Sequence, residues 1–253
     1  MTALERFTLV LACATLAALP FETDRLAVAI EGLRLTMPEA LAGLTVVAAL
    51  ASLASVEVRR DFVPLGLFAP AALVFVFALG LAAVLAPEHR GLSFKFVTRM
   101  AGGASFGFAI AFLVARRPRA LGPLLAAYVG GVAVASVIGV AEFVAPAKVL
   151  AYMALFREQT IYTAGAVRAA STYGYPNTLA TSIAMALPLM AAWRTGSTGG
   201  RCVRAVCVLV LAAALVATFS RGGLVAAAAG LVVFGAGAWM VGERAAGAGV
   251  IDA

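Results

Sequence analysis

The chain has 253 residues, 63% of them hydrophobic and only 12% charged, with a net charge of +7 and a mean hydropathy of +1.02. A soluble domain carries roughly 25% charged residues. This composition therefore excludes a water-soluble globule, the more so because apolar residues fill whole segments instead of one helical stripe. The basic residues sit in short turns between apolar runs, the usual pattern of a membrane protein, which argues against a nucleic-acid partner.

A spanning helix needs about 20 apolar residues. In chain order the charges cut out eight such pieces: 7–21, 40–56, 62–87, 100–115, 120–141, 169–194 (opening with a loop), 205–220 and 222–242. The first reads as a retained helix and not a signal peptide, because its only Ala-x-Ala, Ala12-Cys13-Ala14, lies inside the apolar run. Residues 22–39 are amphiphilic, with Leu26, Ile30, Leu33 and Leu35 among Asp24, Arg25, Glu31 and Arg34, and are expected along the membrane surface. The longest polar interruption, 146–177, exceeds a plain turn, and long loops tend to carry function. The expected fold is an all-α, polytopic membrane helix bundle of about eight transmembrane helices, forming a single transmembrane domain over 1–253.

Tight basic turns such as Arg59-Arg60 and Arg116-Arg117-Pro118-Arg119 favour both termini in the cytoplasm. That orientation splits the nineteen basic residues ten inside to nine outside, so the outer face stays basic, for which an anionic ligand handled there is one physical reason. Cys13, Cys202 and Cys207 lie in or beside apolar segments with no CxxC spacing, and indicate neither disulfides nor a metal. The glycines at 102–103 and 130–131 and the small residues of 226–230 suit close helix packing.

Two stretches carry candidate chemistry. In Arg168-Ala-Ala-Ser-Thr-Tyr-Gly-Tyr-Pro-Asn177, Pro176 and Asn177 form a helix start, with Asn accepting from first-turn amides. Tyr173 and Tyr175 suit the membrane–water interface. The simple reading is a capped loop with one solvated Arg. In Phe219-Ser220-Arg221-Gly222-Gly223, Arg221 is the one charge between 205 and 242 and sits at a hairpin. It is either a snorkelling side chain that marks the turn or a planar fork that grips phosphate oxygens. Glu142, near the end of its helix, needs a partner, with Lys148 and Arg168 as candidates. His89, the only histidine, lies in a loop with no motif around it.

An Arg, then an aromatic-x-x-Pro-Asn helix start, then Ser-Arg-Gly at a hairpin resembles the O-antigen ligase and polymerase family of bacterial membrane glycan transferases. The resemblance covers 160–253 most clearly and extends to Gly32-Leu33-Arg34-Leu35 before the second helix. Tyr175 departs from it, since the family commonly has Asn there. The resemblance implies a multi-pass protein of the cytoplasmic (inner) membrane that transfers glycan from undecaprenyl pyrophosphate to a hydroxyl of a lipid or protein acceptor, on the extracytoplasmic face. It implies no nucleotide sugar, metal or other cofactor. Arg168 and Arg221 would bind the pyrophosphate, with Tyr173, Asn177, Ser220 and Gly222 in support. The family's general base is a His in an external loop beyond these helices, so no catalytic residue is assigned; the chain reads as a fragment or a shortened relative. A transporter or flippase, and a non-catalytic membrane subunit, are the alternatives.

Overall fold

The computed structural model describes residues 2–22, 28–30, 33–54, 63–86, 88, 90–157, 159–163, 165–193 and 197–248. Nine α-helices are described: α1 (Ala3–Ala18), α2 (Met37–Ala54), α3 (Val63–Leu85), α4 (Arg90–Arg116), α5 (Leu121–Val144), α6 (Pro146–Met153), α7 (Pro176–Ala192), α8 (Thr198–Ala217) and α9 (Arg221–Ala248). Each of the eight apolar pieces falls largely in a helix, and α6 is an additional short one. Five helical stretches are long and apolar enough to cross a bilayer: Ala3–Phe21, Ser93–Arg116, Pro118–Val144, Thr198–Ala217 and Arg221–Met240. Met37–Ser52 and Pro70–Leu85 are apolar but shorter, and α7 has 17 residues. The protein is thus a helical membrane bundle.

Large apolar side chains point outward along these helices, among them Leu73, Phe77, Leu209, Val225, Val232 and Val233, all about two-thirds exposed or more. In water such a surface would drive aggregation; in hydrocarbon it is the solvated face.

The residues group into two compact units, one from 1–19 with 26–127, the other from 20–25 with 128–253. In the first, α2 packs on α1 and α4, and α3 packs on α4. α1 begins four residues before its apolar run because a capping box closes it: Thr2 Oγ1 accepts from the Glu5 amide at 3.1 Å, and Glu5 Oε2 accepts from the Thr2 amide at 3.0 Å. Glu5 is buried and paired with Arg117 at 3.2 Å and Arg116 at 3.6 Å, so a charge that marks a boundary in the sequence lies inside the helix. α4 likewise starts ten residues before position 100. Its Arg99 meets Glu39 of α2 at 2.7 Å. The Arg99 and Arg116 ion pairs lie about 25 Å apart along α4, close to the hydrocarbon thickness of a bilayer. Between them the contacts are apolar, through Ala12, Phe106 and Leu113, with the Thr15 and Thr45 hydroxyls meeting at 3.3 Å.

The amphiphilic stretch between α1 and α2 contains a short hairpin. Strands β1 (Val28–Ile30) and β2 (Leu33–Leu35) pair antiparallel, Ala29 opposite Arg34.

In the second unit α7 is central, with Leu179, Ala180, Ile183, Ala186, Leu187 and Met190 all buried. It packs on α8 and α9, and a Cβ at Gly223 of α9 would come within 2.5 Å of the Ala180 Cβ. Gly230 sits similarly against Pro188, 3.3 Å away. Small residues at this crossing let the two backbones approach closely. The glycines at 102, 103 and 130 do not act this way: a Cβ there would meet nothing within 4 Å.

Candidate functional site

α5 ends at Val144, and Pro146 starts α6 at a position where its missing N–H costs nothing. A small hairpin follows, β3 (Tyr162–Thr163) with β4 (Ala166–Val167), turned at Gly165 with φ +82°. The chain then runs through the segment 168–170 and a turn over 171–175, where the Tyr173 amide donates to the Ala170 carbonyl at 3.1 Å, into α7.

That segment docks on the C-terminal end of α8. The Ala169 amide donates to the Ala217 carbonyl at 2.9 Å, and Arg168 Nε donates to the Thr218 carbonyl at 2.8 Å. A guanidinium is stabilised there by the partial negative charge of the helix end. Arg168 Nη2 also donates to Asn177 Oδ1 at 3.2 Å. Nη1 and one Nη2 hydrogen remain for another acceptor.

The α8–α9 corner is made by Thr218, Phe219 and Ser220. Phe219 takes the left-handed conformation at φ 51°, a strain that a bulky residue holds only where its surroundings impose it. Its ring lies 5.9 Å from that of Phe143 at the end of α5. Ser220 Oγ accepts from the Gly223 amide at 3.2 Å and caps α9, while the Leu224 amide bonds to the Ser220 carbonyl. The amides of Arg221 and Gly222 are left as free donors of the first turn. The Arg221 side chain is exposed and makes no hydrogen bond or ion pair with any described residue. A cation at the N-terminal end of a helix opposes the helix dipole, so nothing local to α9 favours an Arg at this place. Together its guanidinium and the two amides form a donor set suited to an anion.

Arg168, Asn177, Ser220, Arg221 and Gly222 therefore occur around one corner: Arg168 is bonded to Thr218, three residues before Arg221. Gly222 is open, with nothing within 4 Å of a Cβ built on it. Gly223, by contrast, is spent on packing against α7.

Three expectations need correction. Asn177 does not cap α7; Tyr175 is the residue before the helix, Pro176 opens it, and the Asn177 side chain turns to Arg168. Tyr173 does not stand exposed as Tyr175 does. It packs against the core of α5, α7 and α8, and burial pushes its phenol up to about 12, while Tyr175 is the exposed aromatic. Glu142 pairs with neither Lys148 nor Arg168. Fully buried, its Oε1 meets Arg157, and its Oε2 accepts from the amides of Ala170 at 3.1 Å and Ser171 at 2.8 Å. Sequence reading flagged the carboxylate but missed this partner, because the short helix α6 and the turn after it lie between the two. His89 lies outside the described residues.

Among the described residues no group of His, Cys, Asp or Glu is arranged to hold a metal ion. Compared with known protein families, curated proteins and solved structures, the chain matches none.

Proposed function

We propose that this protein is a membrane glycan transferase of the O-antigen ligase type, in whole or in part, and that the α8–α9 corner holds the diphosphate of an undecaprenyl-linked donor. The observation that carries the reading is the hydrogen bond of Arg168 to Thr218, which brings one guanidinium to the corner where the other begins α9. Around it stand two unengaged α9 amides and the exposed Phe143 and Phe219 rings. Such a set matches a diphosphate joined to an isoprenoid chain, the charged end at the donors and the apolar end against aromatic and aliphatic side chains.

In the reaction the bond from the sugar's anomeric carbon to the diphosphate breaks and a new bond forms to the acceptor hydroxyl oxygen. Negative charge builds on the departing diphosphate, and the two guanidinium groups stabilise it more in the transition state than in the ground state. Neither can take the hydroxyl proton, since a guanidinium offers only donors and no acceptor. The proton acceptor is a separate group.

Topologically the reading puts about eight helices across a bacterial cytoplasmic membrane, both termini inside and the corner on the outer face. The basic turn around Arg116, Arg117 and Arg119 then obeys the positive-inside rule.

The test is binding of undecaprenyl pyrophosphate to the protein in lipid nanodiscs. Arg221→Ala is expected to weaken binding roughly 10- to 100-fold, as for loss of hydrogen bonds to a charged group. Arg221→Lys is expected to recover only part of this, because a point charge lacks the two-pronged geometry. Unchanged affinity in the Ala variant overturns the proposal.

A further inference from the structure

Every residue from Arg168 to Thr172 is fastened to something outside the segment. Arg168 and Ala169 bond to the last carbonyls at the end of α8, as described. The Ala170 and Ser171 amides both donate to one oxygen of Glu142. Ser171 Oγ donates to the Ala135 carbonyl of α5 at 2.6 Å, and Thr172 Oγ1 donates to the Pro20 carbonyl. Ser171 stands at φ 56°, a conformation that costs on the order of 1–3 kcal/mol unless its surroundings over-determine it. Here they do.

Glu142 is the centre of this arrangement and the hardest part to explain as packing. Its side chain is 0% exposed and that of Arg157 only 4%. Arg157 Nε and Nη1 have no hydrogen-bond partner, so the pair is incompletely satisfied. A buried ion pair is often no more stable than an apolar pair of the same volume, and an incompletely satisfied one less so. Its net effect is to hold two successive amides next to Arg168.

We propose that Glu142 is a positioning residue: its carboxylate locks 169–171 so that Arg168 presents its unengaged Nη hydrogens to the lipid diphosphate. This rests on the ligase-type reading of the corner. Arg157 serves as the counter-ion that lets a carboxylate reside there. Arg221 is built on α9 and does not depend on this lock.

Two paired variants separate positioning from bulk stability. Glu142→Gln with Arg157→Met removes both charges but leaves an oxygen facing the two amides; Glu142→Leu with Arg157→Met removes that oxygen as well. Undecaprenyl pyrophosphate binding in nanodiscs is measured for each, alone and combined with Arg168→Ala or Arg221→Ala, with thermal melts as the check on folding. The Gln/Met protein should bind within about twofold of the parent, and the Leu/Met protein about tenfold more weakly. In the Leu/Met background Arg168→Ala should cost nothing further, while Arg221→Ala keeps its full effect. A purely structural Glu142 would not produce that asymmetry.

If Arg168→Ala keeps its full effect in the Leu/Met protein, the positioning role is overturned and the diphosphate site stands. If the parent protein does not bind the probe, or binds it regardless of both arginines, the site reading falls and the positioning role with it. Should the Leu/Met protein not fold, Glu142→Asp decides by the same criteria, since it keeps the charge beside Arg157 but is one methylene too short for the amides.

Discussion

Arg168 and Arg221 look alike in the sequence but are held in opposite ways. Arg168 is half-buried and bonded to the Thr218 carbonyl and Asn177, so it comes to any ligand already oriented. Arg221 is exposed and tethered only by its backbone at the start of α9. Preorganised donors lose less entropy on binding than mobile ones, so the two should contribute differently to affinity. Tyr173 allows a pH test at the same scale. Its folded-state pKa of about 12 lies above the ordinary value of 10.0, so the native chain holds this proton more tightly than the unfolded one. The stability linked to it is complete below pH 10 and is lost as pH rises through 12. Thermal melts should therefore fall across that window, and Tyr173→Phe should fall less steeply; an unchanged slope would show that the phenol is not desolvated.

At the level of elements, α9 packs tightly on α7, and glycines govern the contact unequally. A Cβ at Gly223 would overlap Ala180 at 2.5 Å, whereas one at Gly222 meets open space. Gly223→Ala should thus push α9 from α7 and destabilise by about 1–3 kcal/mol, the usual cost of overpacking. Gly222→Ala should be neutral or slightly stabilising, because Ala is the better helix former. Melting temperatures in one detergent compare the two directly. Equal effects would mean that the helices are not in contact at Gly223. Ser220→Ala removes the α9 cap and should cost about 1 kcal/mol, with the added consequence that the start of α9 frays beside Arg221.

For the whole molecule, membrane orientation is the quantity to test. With Cys13, Cys202 and Cys207 replaced, a single cysteine at position 222 should react with an impermeant thiol reagent added outside cells. One at position 118, in the exposed turn after α4, should react only after permeabilisation. The reverse pattern would put the α8–α9 corner in the cytoplasm and remove access to a donor on the outer leaflet.

The helical membrane class, the approximate place of each helix and the two conspicuous arginines could all be read from residue order. Each depends on local quantities: the length of an apolar run, the charge that interrupts it, a Pro or Gly at its end. Helix ends were less legible wherever a charge had a tertiary partner, as Glu5 and Arg99 do, since a neutralised charge no longer marks a boundary. Pairings across distance were not legible at all. Nothing in the spacing of Glu142, Arg157, Ala170 and Ser171 forecasts that they meet, nor that Asn177 would serve Arg168 in place of its own helix. Those contacts arise when α5, α7 and α8 pack and the intervening backbone must find partners for its amides in a site closed to water. Periodicity and composition decide which solvent a segment prefers; only the folded chain decides which buried groups must satisfy one another.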